Sequence, residues 1–132
     1  MKSKKRLKRV LYVKHHFNFQ LSPNNRVSYI YKTDDRQRIR EITCVSLEIK
    51  VNTKWVTILY YDDTHGKLHR HTAISLESSI DIVDYNDVTD VISKEKSLQW
   101  AIEDIKSNYL QYKETFVKDI LGLVLGIDID DY

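Results

Sequence analysis

From Glu41 to Val51 the chain alternates so regularly that only an extended strand with one wet face accommodates it. Thr43, Val45, Leu47, Ile49 and Val51 point one way, and Cys44, Ser46, Glu48 and Lys50 point the other. A single apolar face is the pattern of an antiparallel sheet packed on one side. Asn52-Thr53 makes a short turn, and Lys54 to Asp62 returns as a strand rich in β-branched and aromatic residues. Asp63-Thr64-His65-Gly66 then closes a hairpin, with Gly66 able to take positive φ. On the next strand, Lys67 to Leu76, Leu68, Thr72, Ile74 and Leu76 share one side, while Lys67, His69, His71, Ala73 and Ser75 share the other. Upstream, Leu21 to Asn25 reads as a loop and Val27 to Lys32 as the first strand, followed by a turn at Asp34-Asp35. Ile80, Ile82 and Val83 suit a short edge strand whose acids discourage aggregation.

The period then changes. Ser93 is placed to cap a helix, with Glu95 in the first turn where the helix dipole favours a carboxylate. Leu98, Ala101, Ile105, Tyr109, Tyr112, Phe116, Ile120 and Leu123 recur at steps of three and four, one stripe of a long amphipathic helix, with Lys106 and Lys113 off it. The fold expected is α+β: a four- to five-stranded antiparallel meander with one long C-terminal helix packed on it. With 132 residues, a core is affordable in a single domain, 21–132, preceded by a basic and flexible N-terminal arm, 1–20. Cys44 is the single cysteine, so no internal disulfide forms, and a reducing cytoplasm is the expected compartment. No apolar run reaches the length of a membrane span.

Charge is strongly segregated. Residues 1–33 carry nine Lys or Arg and no acid, whereas the other 99 carry twelve basic and nineteen acidic side chains, a net of −7. Lys4, Lys5 and Arg6, within the arm, are candidate contacts to nucleic-acid phosphates; an acidic partner or the protein's own acidic surface would suit them too. Arg36, Arg38 and Arg40 alternate and would form a basic stripe on an extended segment. With Tyr29 and Tyr31 on the preceding strand, that stripe makes a phosphate-and-base platform conceivable. His15-His16 and the nearby Phe17 and Phe19 fit no motif, and the chain has no P-loop, dinucleotide fingerprint, zincin helix or nucleophile elbow.

The chemistry concentrates in the hairpin Tyr60–His71, which holds three of the five histidines beside Asp62 and Asp63. His69 and His71 stand at i and i+2 on one strand and therefore share a face. Three readings fit them. Two imidazoles and a third ligand from Asp62, Asp63 or His65 could grip a metal, although structural zinc sites take four ligands and favour thiolates. The pair could equally be the polar side of an ordinary hairpin. The third reading is acid–base chemistry near neutral pH, with His69 and His71 as the pair, Asp62 orienting an imidazole and His65 assisting from the turn. Lys67 and Arg70 would then neutralise a phosphate, Arg70 being the weaker candidate because a regular strand turns it to the other face. That set matches the needs of a metal-independent ribonuclease, with no cofactor.

Lys54-Trp55-Val56 entering a strand, Tyr61-Asp62 at its end, His65-Gly66 in the turn, His69-x-His71 on the return and the helical Ser97-Leu98-Gln99-Trp100-Ala101-Ile102 together resemble the TumE-like toxins of two-gene toxin–antitoxin pairs and related uncharacterised domains. The resemblance covers roughly residues 42–115. It implies a growth-inhibiting protein aimed at RNA or translation, with a cognate antitoxin-like partner, and it carries over His65, His69 and His71. The function expected is thus a cytoplasmic nucleic-acid-directed domain of toxin type acting as a ribonuclease. A non-catalytic interaction module with charge-segregated surfaces, self-associating or not, is the alternative.

Overall fold

The computed structural model describes residues 11–64, 66–73, 80–84 and 93–119. Their elements run β1 (Val13–Ser22), β2 (Asn25–Thr33), β3 (Ile39–Val51), β4 (Lys54–Asp62), β5 (His69–Ala73), β6 (Ile80–Asp84) and α1 (Lys94–Asp119). Every strand pairs antiparallel with its sequence neighbour, so the sheet order is the chain order and the topology is a meander. The architecture is the expected α+β one with a single long helix among the described residues, but the sheet has six strands. The addition is β1. Residues 13–20, assigned to the arm, pair with β2 from Val13↔Thr33 to Gln20↔Arg26. Only Pro23 and Asn24 remain as a turn between them. Residues 1–10 of the arm, with Lys4, Lys5 and Arg6, lie outside the described residues, as do His65, Ile120 and Leu123.

The core lies between α1 and one face of β2, β3 and β4. Val27, Val45, Leu47, Ile49, Leu59 and Tyr61 are fully or nearly fully buried there against Leu98, Ala101, Ile105 and Phe116 of the helix. Burying each large apolar side chain contributes roughly 1.5–3 kcal/mol, which makes α1 integral to the fold. Ser93 caps the helix as expected: its Oγ accepts from Lys96 N at 3.3 Å and its carbonyl from Ser97 N at 3.0 Å. Tyr109 and Tyr112 pack at the rim. Lys113, expected to lie off the buried stripe, is instead fully buried.

Bulges correct the alternation in two places. Tyr31 pairs with Ile42 while Ile30 pairs with Cys44, so Thr43 is an extra residue. Ile42 takes the core place expected for Thr43 and is fully buried. In β4, Leu47 pairs with Leu59 and Glu48 with Thr57, leaving Ile58 as the extra residue. The second bulge reverses the parity of everything that follows it in β4. Tyr61 therefore turns toward α1 and Asp62 away from it.

Candidate functional site on the β4–β5 hairpin

Three consecutive residues at the end of β4 go to three different partners. Tyr61 Oη donates to Asp104 Oδ2 of the helix at 2.5 Å. Asp62 Oδ2 lies 2.8 Å from His71 Nε2. Asp63 is buried, accepting from Ile42 N at 2.8 Å on one oxygen and from Lys94 Nζ at 2.5 Å on the other. Asp63 thus ties the bulge of β3 to the first turn of α1, a structural duty.

The Asp62–His71 pair is on the face turned away from α1. Its side chains are only 10% and 12% exposed, so water screens the carboxylate–imidazole attraction weakly. The 2.8 Å approach lacks the alignment of a hydrogen bond and is a close contact between the carboxylate and the imidazole. The carboxylate is itself held: Asp62 Oδ1 accepts from Thr64 N at 3.2 Å and from Thr64 Oγ1 at 3.1 Å. The imidazole is held from its face, because the Tyr60 ring stacks on it with centroids 4.4 Å apart and planes 11° from parallel. Burial, then the nearby Asp62 carboxylate, pushes the Tyr60 hydroxyl above its ordinary range, so it stays protonated beside the pair.

His69 stands on the same face, half-buried, in register with Asp62 on one side and Asp84 on the other. Cys44 also faces this way. Burial raises its thiol above the ordinary range, so it is not a thiolate nucleophile at neutral pH. Lys67 is exposed on the turn beside Gly66, whose φ of 102° is one that L side chains rarely adopt.

Arg70 is turned to the opposite face. Its Nη1 donates to Tyr112 Oη at 3.2 Å and its guanidinium lies 5.4 Å from the centre of that ring. Arg70 therefore belongs to the helix-facing cluster of Tyr61, Asp104 and Tyr112, away from His69 and His71. The alternating stripe of Arg36, Arg38 and Arg40 does not form either. Arg36 and Arg38 precede β3 in a turn organised by Asp34, whose Oδ1 accepts from Arg36 N at 2.9 Å and Arg38 N at 3.0 Å. Arg38 Nε and Arg40 Nη1 lie 3.2 and 3.9 Å from Asp34 Oδ2. The backbone donor of Arg38 leads in holding the Asp34 carboxyl below its ordinary value, with the Arg36 donor and the Arg38 charge adding to it against the opposing effect of burial. Among the described residues, no group of three His, Cys, Asp or Glu side chains is placed to hold a metal ion.

Sequence reasoning set Asp62 beside a hairpin imidazole, and the structure brings it to His71, but the residues that hold the two were not picked out. Thr64, two positions after Asp62, carries a legible signal, since hydroxyl residues at that offset commonly donate back to an aspartate. Tyr60 carries none, because its orientation depends on the bulge at Ile58.

The sequence profile of a domain of unknown function, DUF7718, matches residues 5–120. The chain belongs to the DUF7718 family. No curated protein and no solved structure matches it. The DUF7718 match starts before β1 and extends past the end of α1, so the edge strand and the helix are both parts of the family unit. Among its described residues, no helix is long and apolar enough to cross a membrane.

Proposed function

We propose that this DUF7718 domain is a nucleic-acid-directed protein of toxin type, acting in the cytoplasm as a metal-independent ribonuclease through the β4–β5 hairpin. One observation carries the reading: a largely buried imidazole, His71, held edge-on by Asp62 and face-on by Tyr60. A histidine serving only as a wet strand residue needs neither restraint, whereas an acid–base group needs both orientation and a charge partner.

In this reading His71 takes the proton of a ribose 2′-hydroxyl. The 2′-oxygen attacks the adjacent phosphorus, the bond to the 5′-oxygen breaks, and His69 delivers a proton to that leaving oxygen. Residues two apart on a strand are separated by about 6–7 Å, a spacing that would let the two rings reach one phosphodiester. Asp62 stabilises the imidazolium formed on His71. Lys67 supplies the cation near the phosphate; Arg70 is withdrawn from that role because it faces the helix. The partners that follow are RNA and a cognate antitoxin-like protein. The single unpaired Cys44 supports a reducing compartment.

The test is cleavage of a mixed RNA pool in chelator, with product ends mapped. Products ending in 2′,3′-cyclic phosphate are expected, with His71→Gln and His69→Gln each lowering the rate at least 10²-fold at temperatures where a thermal melt shows the variant folded. Undiminished cleavage by the two folded variants would remove them as catalysts. Complete inactivity of the wild type, in this assay and in expression toxicity, would favour the interaction module.

A further inference from the structure

β1 and β6 are the two edges of the sheet, and they are guarded unequally. An edge strand invites pairing with another chain, and short length, charge, proline or a bulge discourages it. β6 has five residues, two of them Asp81 and Asp84. β1 has ten, with no proline and no acid, and its guards stand at its ends: Lys14 at one, the irregularity between Gln20 and Ser22 at the other. Among the described residues no strand pairs with its outer edge. The side chains leave that edge clear by leaning back onto β2. His15 Nε2 lies 2.9 Å from Thr33 Oγ1, His16 Nε2 lies 3.0 Å from Ser28 Oγ, and the Phe17 ring centre is 5.5 Å from that of Tyr29. Apolar surface collects at the same edge. Leu11, Tyr12, Val13 and Phe17, all exposed, lie on β1 or just before it.

The sequence of β1 selects the strand that fits it. From Val13 to Leu21 the pattern is nearly the same in both directions about Phe17. Antiparallel pairing with a second β1, centred on Phe17, sets Val13 against Leu21, Lys14 against Gln20, His15 against Phe19 and His16 against Asn18. Apolar then meets apolar, ring meets ring and polar meets polar. Phe17 meets its own copy on the axis, where an aromatic pair adds to strand pairing. The two Lys14 positions are held about 20 Å apart along the strands, so no like charges stand opposite. We infer that β1 is an isologous dimer interface, joining two copies of this chain about a twofold axis at Phe17. Pairing over Lys14–Gln20 adds about six to eight backbone hydrogen bonds. A whole standard interface carries about ten. β6 of another copy is half the length of β1, and joining it to β1 head to tail gives an open filament. In the twofold dimer the sheet continues across the axis, so both α1 helices lie on one side and both Asp62–His71 pairs on the other. β4 and β5 are at least three strands from the interface, which makes the dimer independent of the hairpin chemistry proposed above.

The experiment is sedimentation velocity of the full chain over roughly a hundred-fold range of concentration. A reversible dimer of the 15.7 kDa chain is expected. Phe17→Lys sets two ammonium groups against each other on the axis and should weaken that dimer about ten-fold or more. Phe17 is 46% exposed, so the substitution does not empty the core, and a thermal melt verifies the fold. Cross-linking tests the register and decides the matter if Phe17→Lys fails to fold. Phe17→Cys, in a chain carrying Cys44→Ser, places two cysteines with Cα atoms about 4.5–5.5 Å apart. That is inside the disulfide range of about 4.4–6.8 Å, so mild oxidation should give a covalent dimer on a non-reducing gel. Phe19→Cys in the same background, with its two copies about 13 Å or more apart, should not cross-link. A monomer at every concentration overturns the interface. So does a dimer indifferent to Phe17→Lys, or a cross-link through Phe19→Cys in place of Phe17→Cys. An open-ended polymer overturns it as well, since β1 would then pair with β6 of the next copy.

Discussion

Two carboxylates, Asp62 and Asp104, stand on opposite faces of the same hairpin and are treated differently. Asp104, on the helix, accepts from two tyrosine hydroxyls, Tyr61 at 2.5 Å and Tyr112 at 2.6 Å, and its other oxygen takes Asn108 Nδ2 at 3.0 Å. Each of those donors comes from a group whose proton is fixed near neutrality. Asp62 accepts from the Thr64 backbone and hydroxyl, and then faces an imidazole, a side-chain type suited to acid–base work. The alternation of one strand separates them: Tyr61 and Arg70 reach the first cluster, Asp62 and His71 the second. The comparison teaches that an ordered carboxylate network marks chemistry only when its partner can change protonation state. Asp104 fastens the helix to the sheet; Asp62 holds a group that can act.

The sharpest way to break this contrast is to neutralise each carboxylate in turn. Asp62→Asn keeps an oxygen for Thr64 but removes the charge facing His71, so RNA cleavage by the folded protein should fall 10²-fold or more. Asp104→Ala should do the opposite. It strands two part-buried tyrosine hydroxyls, each costing about 1–3 kcal/mol, so unfolding in denaturant should show a loss of about 2–4 kcal/mol with cleavage by the folded fraction intact. If Asp104→Ala abolishes cleavage at temperatures where the protein is folded, the two clusters are coupled and the separation by face fails.

A smaller effect tests the Asp104 cluster through pH. Burial first, then the hydrogen bond to Asp104, pushes the Tyr112 hydroxyl up to about 12, and the same two causes, in the same order, move Tyr61 further in that direction. In the unfolded chain both ionise near 10, so it is the unfolded state that loses protons first. Stability is therefore complete below pH 10 and falls as pH rises from 10 toward 12. Tyr112→Phe should cost about 1 kcal/mol at pH 8 and flatten that alkaline fall. An unchanged slope above pH 10 would show that Tyr112 is not held as the geometry indicates.

Much of this architecture is legible from spacing. The one-sided alternation of Val45, Leu47, Ile49 and Val51 identifies β3, and the three-and-four stripe through Leu98, Ala101, Ile105 and Phe116 identifies the helix face. Asp62 and His71 could be nominated because a strand end and a return strand bring them close. What escaped has local physical causes. An extra residue at Ile58 leaves no mark in composition, yet it decides that Tyr61 faces the helix and Asp62 faces His71. β1 was hidden because His15-His16, Asn18 and Gln20 break its apolar count, although Phe17 and Phe19 alternate as strand residues do. Two of the three arginines at 36–40 read as extended fall in a turn, because Asp34 accepts from two backbone amides and bends the chain there. Lys113 looks like a surface residue by type, and only tertiary packing buries it.

The least effect expected comes from the turn between β3 and β4, which lies away from both carboxylates and can be tuned without touching either. Asn52 and Thr53 both take positive φ, 52° and 66°, the conformation of a two-residue hairpin turn with both central residues left-handed. Asparagine tolerates it. Threonine, β-branched, does not, and a left-handed L-residue costs roughly 1–2 kcal/mol. Thr53→Gly removes that cost but gives up the Thr53 Oγ1 contact to the Asn52 carbonyl at 2.5 Å and adds backbone freedom to the unfolded chain, worth about 0.5–1 kcal/mol. The net expectation is a gain of about 0.5–1 kcal/mol in denaturant unfolding, with the rate of RNA cleavage unchanged. In that stabilised chain the Asp104→Ala loss should add to the gain, because the turn and the helix cluster share no partner. A turn variant that altered cleavage, or failed to add, would mean that strain at Thr53 is transmitted along β4 to the hairpin, and Asp62 and Asp104 could no longer be treated as independent.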